Sequence, residues 1–351
     1  MITLLLPLAL WGQTRKYSNE FLNIGVDARA MAMSKAVTAT TNDVTAGYWN
    51  PAGLAHINDS WQASALHAEY FASIAQYDYA AFAMPIDATS TAGVSLIRFG
   101  VDDILDTTQL VDEDGNVDFD RINRFSAADY ALIVSYARKA KGIENFSYGG
   151  NVKLIYRDIG KFASAIGFGF DVGAQYQVKA WKLGLMIRDV TTTFNAWNIS
   201  TDKLRDVFER TGNALPNENL ELTIPRINLG IGRSFNLGEK YRLTTGLDAS
   251  MTFGGQQNTI LSSDIVNVDP ALGAEVAYKN FIFLRGGAGN VTAITNFDNS
   301  KDYIVQPSLG LGFKYRGIYL DYGLTNIANG DDAVYSNIFS IKFKFAEFNR
   351  S

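Results

Sequence analysis

The chain has 351 residues, 47% hydrophobic and 19% charged, with a formal net charge of −5 and no cysteine. The missing cysteines exclude disulfides, thiol catalysis and cysteine-ligated zinc, and the acidic balance offers no basic face to nucleic acid. No run of about 18 apolar residues occurs, so no transmembrane helix is predicted.

The first element, residues 1–12 ("MITLLLPLALWG"), is an apolar run ending on a small residue. It reads as a secretory signal peptide, although it lacks a basic start. Residues 13–58 do not alternate. "VDARAMAMSKAV" (Val26–Val37) places Ala and Met at helical spacing, with Asp27 as N-cap. "DVTAGYWNPAGLAHI" (Asp43–Ile57) offers Asn42 or Asp43 as a second cap and one or two helical turns. The chain then turns at Asn50, because the residue before Pro51 is pushed out of the helical region. Gly53 permits a further tight turn.

From about Trp61 onward the period is two. In "FSYGGNVKLIY", Phe146, Tyr148, Val152, Leu154 and Tyr156 alternate with Ser147, Gly149, Asn151 and Lys153. In "YRLTTGLDASMTF", Tyr241, Leu243, Leu247, Ala249, Met251 and Phe253 share one face, and in "IFSIKFKFAEF", Phe339, Ile341, Phe343 and Phe345 do. Successive strand side chains point to opposite faces, so each segment has one greasy face and one small or polar face. Fourteen strands are predicted, near 60–70, 74–84, 90–100, 127–138, 145–158, 164–178, 180–190, 224–235, 240–253, 271–279, 281–290, 303–315, 317–326 and 335–346.

The links alternate in length. Tight ones ("PIDAT", "KAKGIEN", "QVKAW", "LGEK", "YKN", "YRG") take turns with longer ones, the longest being Val101–Ser126, Thr191–Thr223 and Gly254–Pro270. Short turns at one end and long loops at the other are the pattern of an outer-membrane barrel. The predicted fold is therefore all-β: a transmembrane, 14-stranded antiparallel outer-membrane β-barrel over residues 59–351, with residues 13–58 as a small N-terminal plug or hatch. The greasy face meets outer-membrane lipid, and aromatic strand ends form its two girdles. The last strand must pair with the first, because lipid tolerates no open edge. A charge at Leu243 or Phe343 is expected to block assembly.

Phe21–Ala55, "FLNIGVDARAMAMSKAVTATTNDVTAGYWNPAGLA", resembles the N-terminal signature of the PorV/PorQ family of type IX secretion in Bacteroidota. Its "NPAG" core is also similar to the hatch motif of the FadL long-chain fatty acid transporters. Both resemblances imply a fourteen-stranded barrel with a hatch whose motif residues are Asp27, Arg29, Tyr48, Trp49, Asn50, Pro51 and Gly53. The first implies a non-enzymatic role in protein export, with secretion proteins or secreted cargo as partners. The second implies passive transport of a hydrophobic ligand, with wall irregularities at Gly100 and "VDDILD", Pro225 or Pro307 as exits.

No catalytic constellation is legible, and no cofactor or metal is expected. His56 and His67 lack announced partners and are expected at polar lumen or turn positions. The glycines of "GFGFDVGA" (Gly167–Ala174) lie in a strand and relieve crowding or allow curvature there; they do not cradle phosphate. "LVDEDGNVDFDR" (Leu110–Arg121) fails as a calcium loop because Leu110 and Arg121 occupy its first and last ligand positions. In the middle long loop, "TDKLRDVFERTG" predicts a short amphipathic helix with Leu204, Val207 and Phe208 on one face as a partner contact.

Overall fold

The computed structural model describes residues 18–348 apart from 58–59, 71–72, 113–114, 203–204, 206–207, 210–219, 299 and 326–334. Seventeen strand segments form one antiparallel sheet: β1 (Gln62–Tyr70), β2 (Ala75–Pro85), β3 (Ser90–Asp106), β4 (Asn123–Lys139), β5 (Phe146–Ile159), β6 (Ala163–Val178), β7 (Trp181–Arg188), β8 (Thr193–Ile199), β9 (Leu220–Thr223), β10 (Arg226–Leu237), β11 (Tyr241–Phe253), β12 (Leu261–Ser262), β13 (Val266–Tyr278), β14 (Ile282–Thr295), β15 (Lys301–Tyr315), β16 (Ile318–Thr325) and β17 (Ser336–Lys344). Five of these reduce to two staves and a ribbon. β7 and β8 run end to end along β6, where Ile187 pairs with Val172 and Phe194 with Phe168. β9 and β10 run end to end beside them, broken at Ile224–Pro225, where proline cannot donate to the ladder. β12 is a two-residue ribbon on β13. Fourteen staves remain, and β1 pairs with both β2 and β17, so the sheet closes.

The tight links form one end of the barrel. Lys279–Asn280 and Arg316–Gly317 take positive φ at both central positions, as two-residue hairpin turns require. The other end is taller than expected. β3 and β4 continue past the predicted 90–100 and 127–138, and β8 and β9 lie inside the stretch read as the loop Thr191–Thr223. The added parts of β3 and β4 are rich in Asp, Asn and Arg, and β8 and β9 carry only Phe194, Ala196, Leu220 and Leu222 as apolar residues on their outward face, too short a run for the alternation to show. β3 carries a bulge between Val101 and Ile104, with Asp103 at φ 59°. The register of β14 on β15 slips between Gly289 and Thr292, beside Pro307. The three wall irregularities read from Gly100 onward, Pro225 and Pro307 are therefore real features of the ladder.

Burial fixes the two faces. On β5, Tyr148, Val152, Leu154 and Tyr156 are 43–52% exposed, while Ser147, Asn151 and Lys153 are at most 3% exposed. The greasy face points outward, as a lipid-facing wall requires. Two expectations change. β17 ends at Lys344, so Phe345 belongs not to the strand face but to a short helix, Phe345–Phe348, with its ring 4.9 Å from Trp61. His67 is neither in the lumen nor in a turn: it lies on the outward face of β1, its Nδ1 2.7 Å from Asp78. Period-two phase along "QASALHAEY" puts it there, since Leu66, Ala68 and Tyr70 take the buried face.

Candidate functional site

Residues 18–57 pack against the inward face of this sheet. They hold two short helices, α1 (Ala28–Ala32) and α2 (Ala46–Trp49), and two 3-10 turns, Glu20–Asn23 and Pro51–His56. Almost every residue of the segment is buried. Its partners come from around the barrel, and the motif residues supply many of them.

Asp27 stands at the N-cap of α1 but does not cap it. Instead its carboxylate accepts from Ser340 Oγ at 3.1 Å and lies 3.6 Å from Lys342 on β17. Asp43 accepts from the same Lys342 at 2.6 Å, so one buried ammonium serves both helices. Burial alone would raise the pKa of Asp43; the charges of Lys342 and Lys344 outweigh it and hold it below the usual carboxylate range. Arg29 donates to Glu275 on β13 at 2.8 Å, and Glu275 accepts in turn from Arg285, which reaches Asp321. Burial would lower the pKa of Arg29, but Glu275 more than offsets it and raises it.

The second half of the motif works through shape and backbone bonds. Tyr48 and Trp49 meet edge to face at 4.9 Å; the Tyr48 hydroxyl donates to Leu22 O and Trp49 Nε1 to Val26 O. Arg188 of β7 lies over the Tyr48 ring and donates to Leu22 O and Tyr48 O. Asn50 is extended, as the following Pro51 demands, and its Oδ1 accepts from Ala52 N. Its Nδ2 donates to Thr38 O, Ala174 O and Leu185 O, tying the segment to β6 and β7. Gly53 does not take positive φ; it is glycine because a Cβ there would strike the Thr41 carbonyl and Ala46.

Sequence reasoning missed what the wall contributes. Glycines pair across it at one level: Gly149 with Gly173, Gly184 with Gly230, Gly232 with Gly246, Gly246 with Gly273, Gly273 with Gly287, and Gly310 with Gly323. Each would drive an added Cβ into the segment: into Pro51, Thr38–Thr40, Ala36, Met33–Ser34, Ala32 or Ala28. The signal was available as inward-phase glycines recurring at similar distances from the tight turns. Gly167 and Gly169 relieve crowding as expected, lying under Asn195 and Thr193. His56 ends the second 3-10 turn, beside Gln175 and Lys182.

A cavity of about 360 Å³ lies between the segment and the long-loop ends of β10, β11 and β13–β16. Met31, Tyr48, Trp49 and Tyr70 give it apolar and aromatic walls, and Arg226 and Asp269 face it from the strands. Arg226 sits directly opposite Arg188 in the ladder and has no hydrogen bond or ion pair to a described residue. Phe208 is half-buried in the helix of the middle loop, while Leu204 and Val207 lie outside the described residues. Asp112 accepts from Asn116 in its own turn, and no metal-binding cluster occurs among the described residues.

No protein-family description matches the chain, and no curated protein matches it. Solved structures do. The chain is similar to the Pseudomonas putida toluene transporter TodX at 12% identity and a TM-score of 0.56, covering 92% of this chain and 99% of that one. It is similar to the Ralstonia pickettii toluene transporter TbuX at 12% identity and 0.53, covering 92% and 98%. A Pseudomonas aeruginosa FadL homologue matches at 13% identity and 0.50, covering 90% and 97%. The likeness establishes the fold: a FadL-like barrel.

Proposed function

We propose that this chain is an outer-membrane barrel through which an apolar small molecule carrying one acidic group passes passively, with residues 18–57 as its plug. The tight turns then face the periplasm and the long loops the exterior. The barrel makes and breaks no bond and needs no cofactor. The cavity carries this reading. It has the size and mostly apolar lining of a small-molecule site, and Arg226, set opposite Arg188, brings a positive charge whose attraction to Glu20, Asp189 and Asp269 acts through space, without an ion pair among the described residues. The likeness to barrels named as toluene transporters supports an apolar cargo.

The test is uptake of radiolabelled aromatic carboxylates by cells with and without the gene. Loss of uptake on deletion is expected. Arg226→Ala raises the half-saturating concentration about tenfold, the loss of one charge-assisted contact of ~1.4 kcal/mol. Unchanged uptake in the deletion strain sinks the reading.

A second reading, a docking barrel in type IX secretion, is favoured by the resemblance of Phe21–Ala55 to the PorV/PorQ signature. The bonds that tie this segment to the wall also favour it, because a docking platform needs no moving part. Phe208, with Leu204 and Val207, would then contact cargo or a secretion partner. The same deletion strain decides: lost secreted proteins with normal uptake select this second role.

A further inference from the structure

One sector of the outer wall is built unlike the rest. β16, β17, β1 and β2 have 8, 9, 9 and 11 residues, against 17 for β3 and β4. Along the outward face of β1 stand Ala63, Ala65, His67 and Glu69, and β2 sets Phe82, Ala80, Asp78 and Gln76 opposite them. Asp78 binds His67 and, at 3.3 Å, Arg98 of β3, which also reaches Gln76.

Depth makes this unusual. A tilted strand climbs about 2.5 Å per residue, so His67 lies about 13 Å and Asp78 about 18 Å above the tight-turn rim, within an apolar band about 25 Å tall. At similar depth on β5 and β11 the outward residues are Leu154 and Leu247, while the outward Arg233 of β10 is covered by the rings of Trp181 and Phe235. Ionised side chains near the middle of that band are unfavourable against acyl chains. Beside the polar patch, an apolar groove of about 590 Å³ runs over β15–β17, walled by Leu311, Phe313, Leu320, Tyr322 and Phe339, with His67 at its edge.

We propose that this sector is a self-association surface, on which a second copy of the chain packs about a two-fold axis that runs along the membrane normal and passes beside β1. The patch carries both signs of charge and both donors and acceptors, so it suits its own copy. The axis turns the β2–β3 side of one copy, with Asp78 and Arg98, onto the β16–β17 side of the other. There Asn337 offers an amide, and the rings of Tyr322 and Phe339 offer faces for a guanidinium. Ala63, Ala65 and Ala80, small and central, let the two walls approach.

The chain has no cysteine, so a single introduced thiol reports on the contact. Ala65→Cys in native outer membranes, under mild oxidation, is expected to give a reducible species of twice 38.6 kDa. Leu247→Cys, on another sector of the wall, gives none. Adding Arg98→Ala to Ala65→Cys lowers the dimer yield at least threefold while the barrel keeps its heat-modifiable, folded migration. Absence of dimer in folded Ala65→Cys, or equal dimer from Leu247→Cys, overturns the proposal; the sector then faces lipid or another protein.

Discussion

Lys342 ties two carboxylates of the N-terminal segment together, since one buried ammonium joins Asp27 and Asp43 across 16 residues of chain. Removing one partner of a buried ion pair costs about 3–5 kcal/mol, because the other charge stays buried and unpaired. Lys342→Ala is expected to lose that much, measured as a fall in the denaturant midpoint of the folded barrel in micelles; a loss under about 1 kcal/mol would refute the role. Linkage gives a second signature. Asp43 has a lowered folded pKa, so its contribution is full above the ordinary carboxylate pKa and fades as pH falls through the folded value. Asp43→Asn should therefore lose most stability relative to the parent at neutral pH, and the gap should narrow in acid. At this scale the sequence was only partly legible. Asn50 and Pro51 announced their turn through local sterics. Asp27 looked like a cap, because its partner Ser340 is 313 residues away and no local pattern points there.

At the level of elements, the ladder was the easy part. Period two, turn residues and loop alternation are local signals, and they located fourteen staves. The breaks at 189–192 and at Pro225, and the upper ends of β3, β4, β8 and β9, were read as loops because the ladder continues there in segments too short or too charged to show a sustained apolar face. The glycines on the inward phase went unread for another reason: their cause is the backbone of a different element. Adjacent residues on β14 test this. A Cβ on Gly287 would lie 2.5 Å from Met33 C and 2.7 Å from Ser34 N, while one on Gly286 meets nothing closer than 3.7 Å. Gly287→Val should therefore destabilise the folded barrel by about 1–3 kcal/mol through overpacking, whereas Gly286→Val stays within about 0.5 kcal/mol. Equal denaturant midpoints for the two variants would show that the segment does not press on the wall.

For the whole molecule, the inside–outside assignment rests on exposure, and lipid is its test. Leu243 and Phe343 do face outward, yet they lie within two residues of the tight-turn ends of β11 and β17. The penalty for a lipid-facing charge falls to about 0–1 kcal/mol near an interface and reaches about 2–4 kcal/mol at the midplane. Leu247, 50% exposed and deeper in the band, is the sharper probe. Leu247→Arg should reduce the fraction assembled in the outer membrane well below that of Leu243→Arg. The reverse order would mean that the membrane crosses the barrel at another level.

The bonds between the N-terminal segment and the wall also bear on the order in which the molecule is made. The segment precedes every strand in the chain, and its ligands include both closing strands: Gln62 of β1 binds Val44 N, and Ser340 and Lys342 of β17 hold Ala28, Asp27 and Asp43. A sheet that curls around its own leading residues completes their bonds only when the last strand meets the first. Seating and closure are then a single step, and the leading residues act as the mandrel on which the wall is wound.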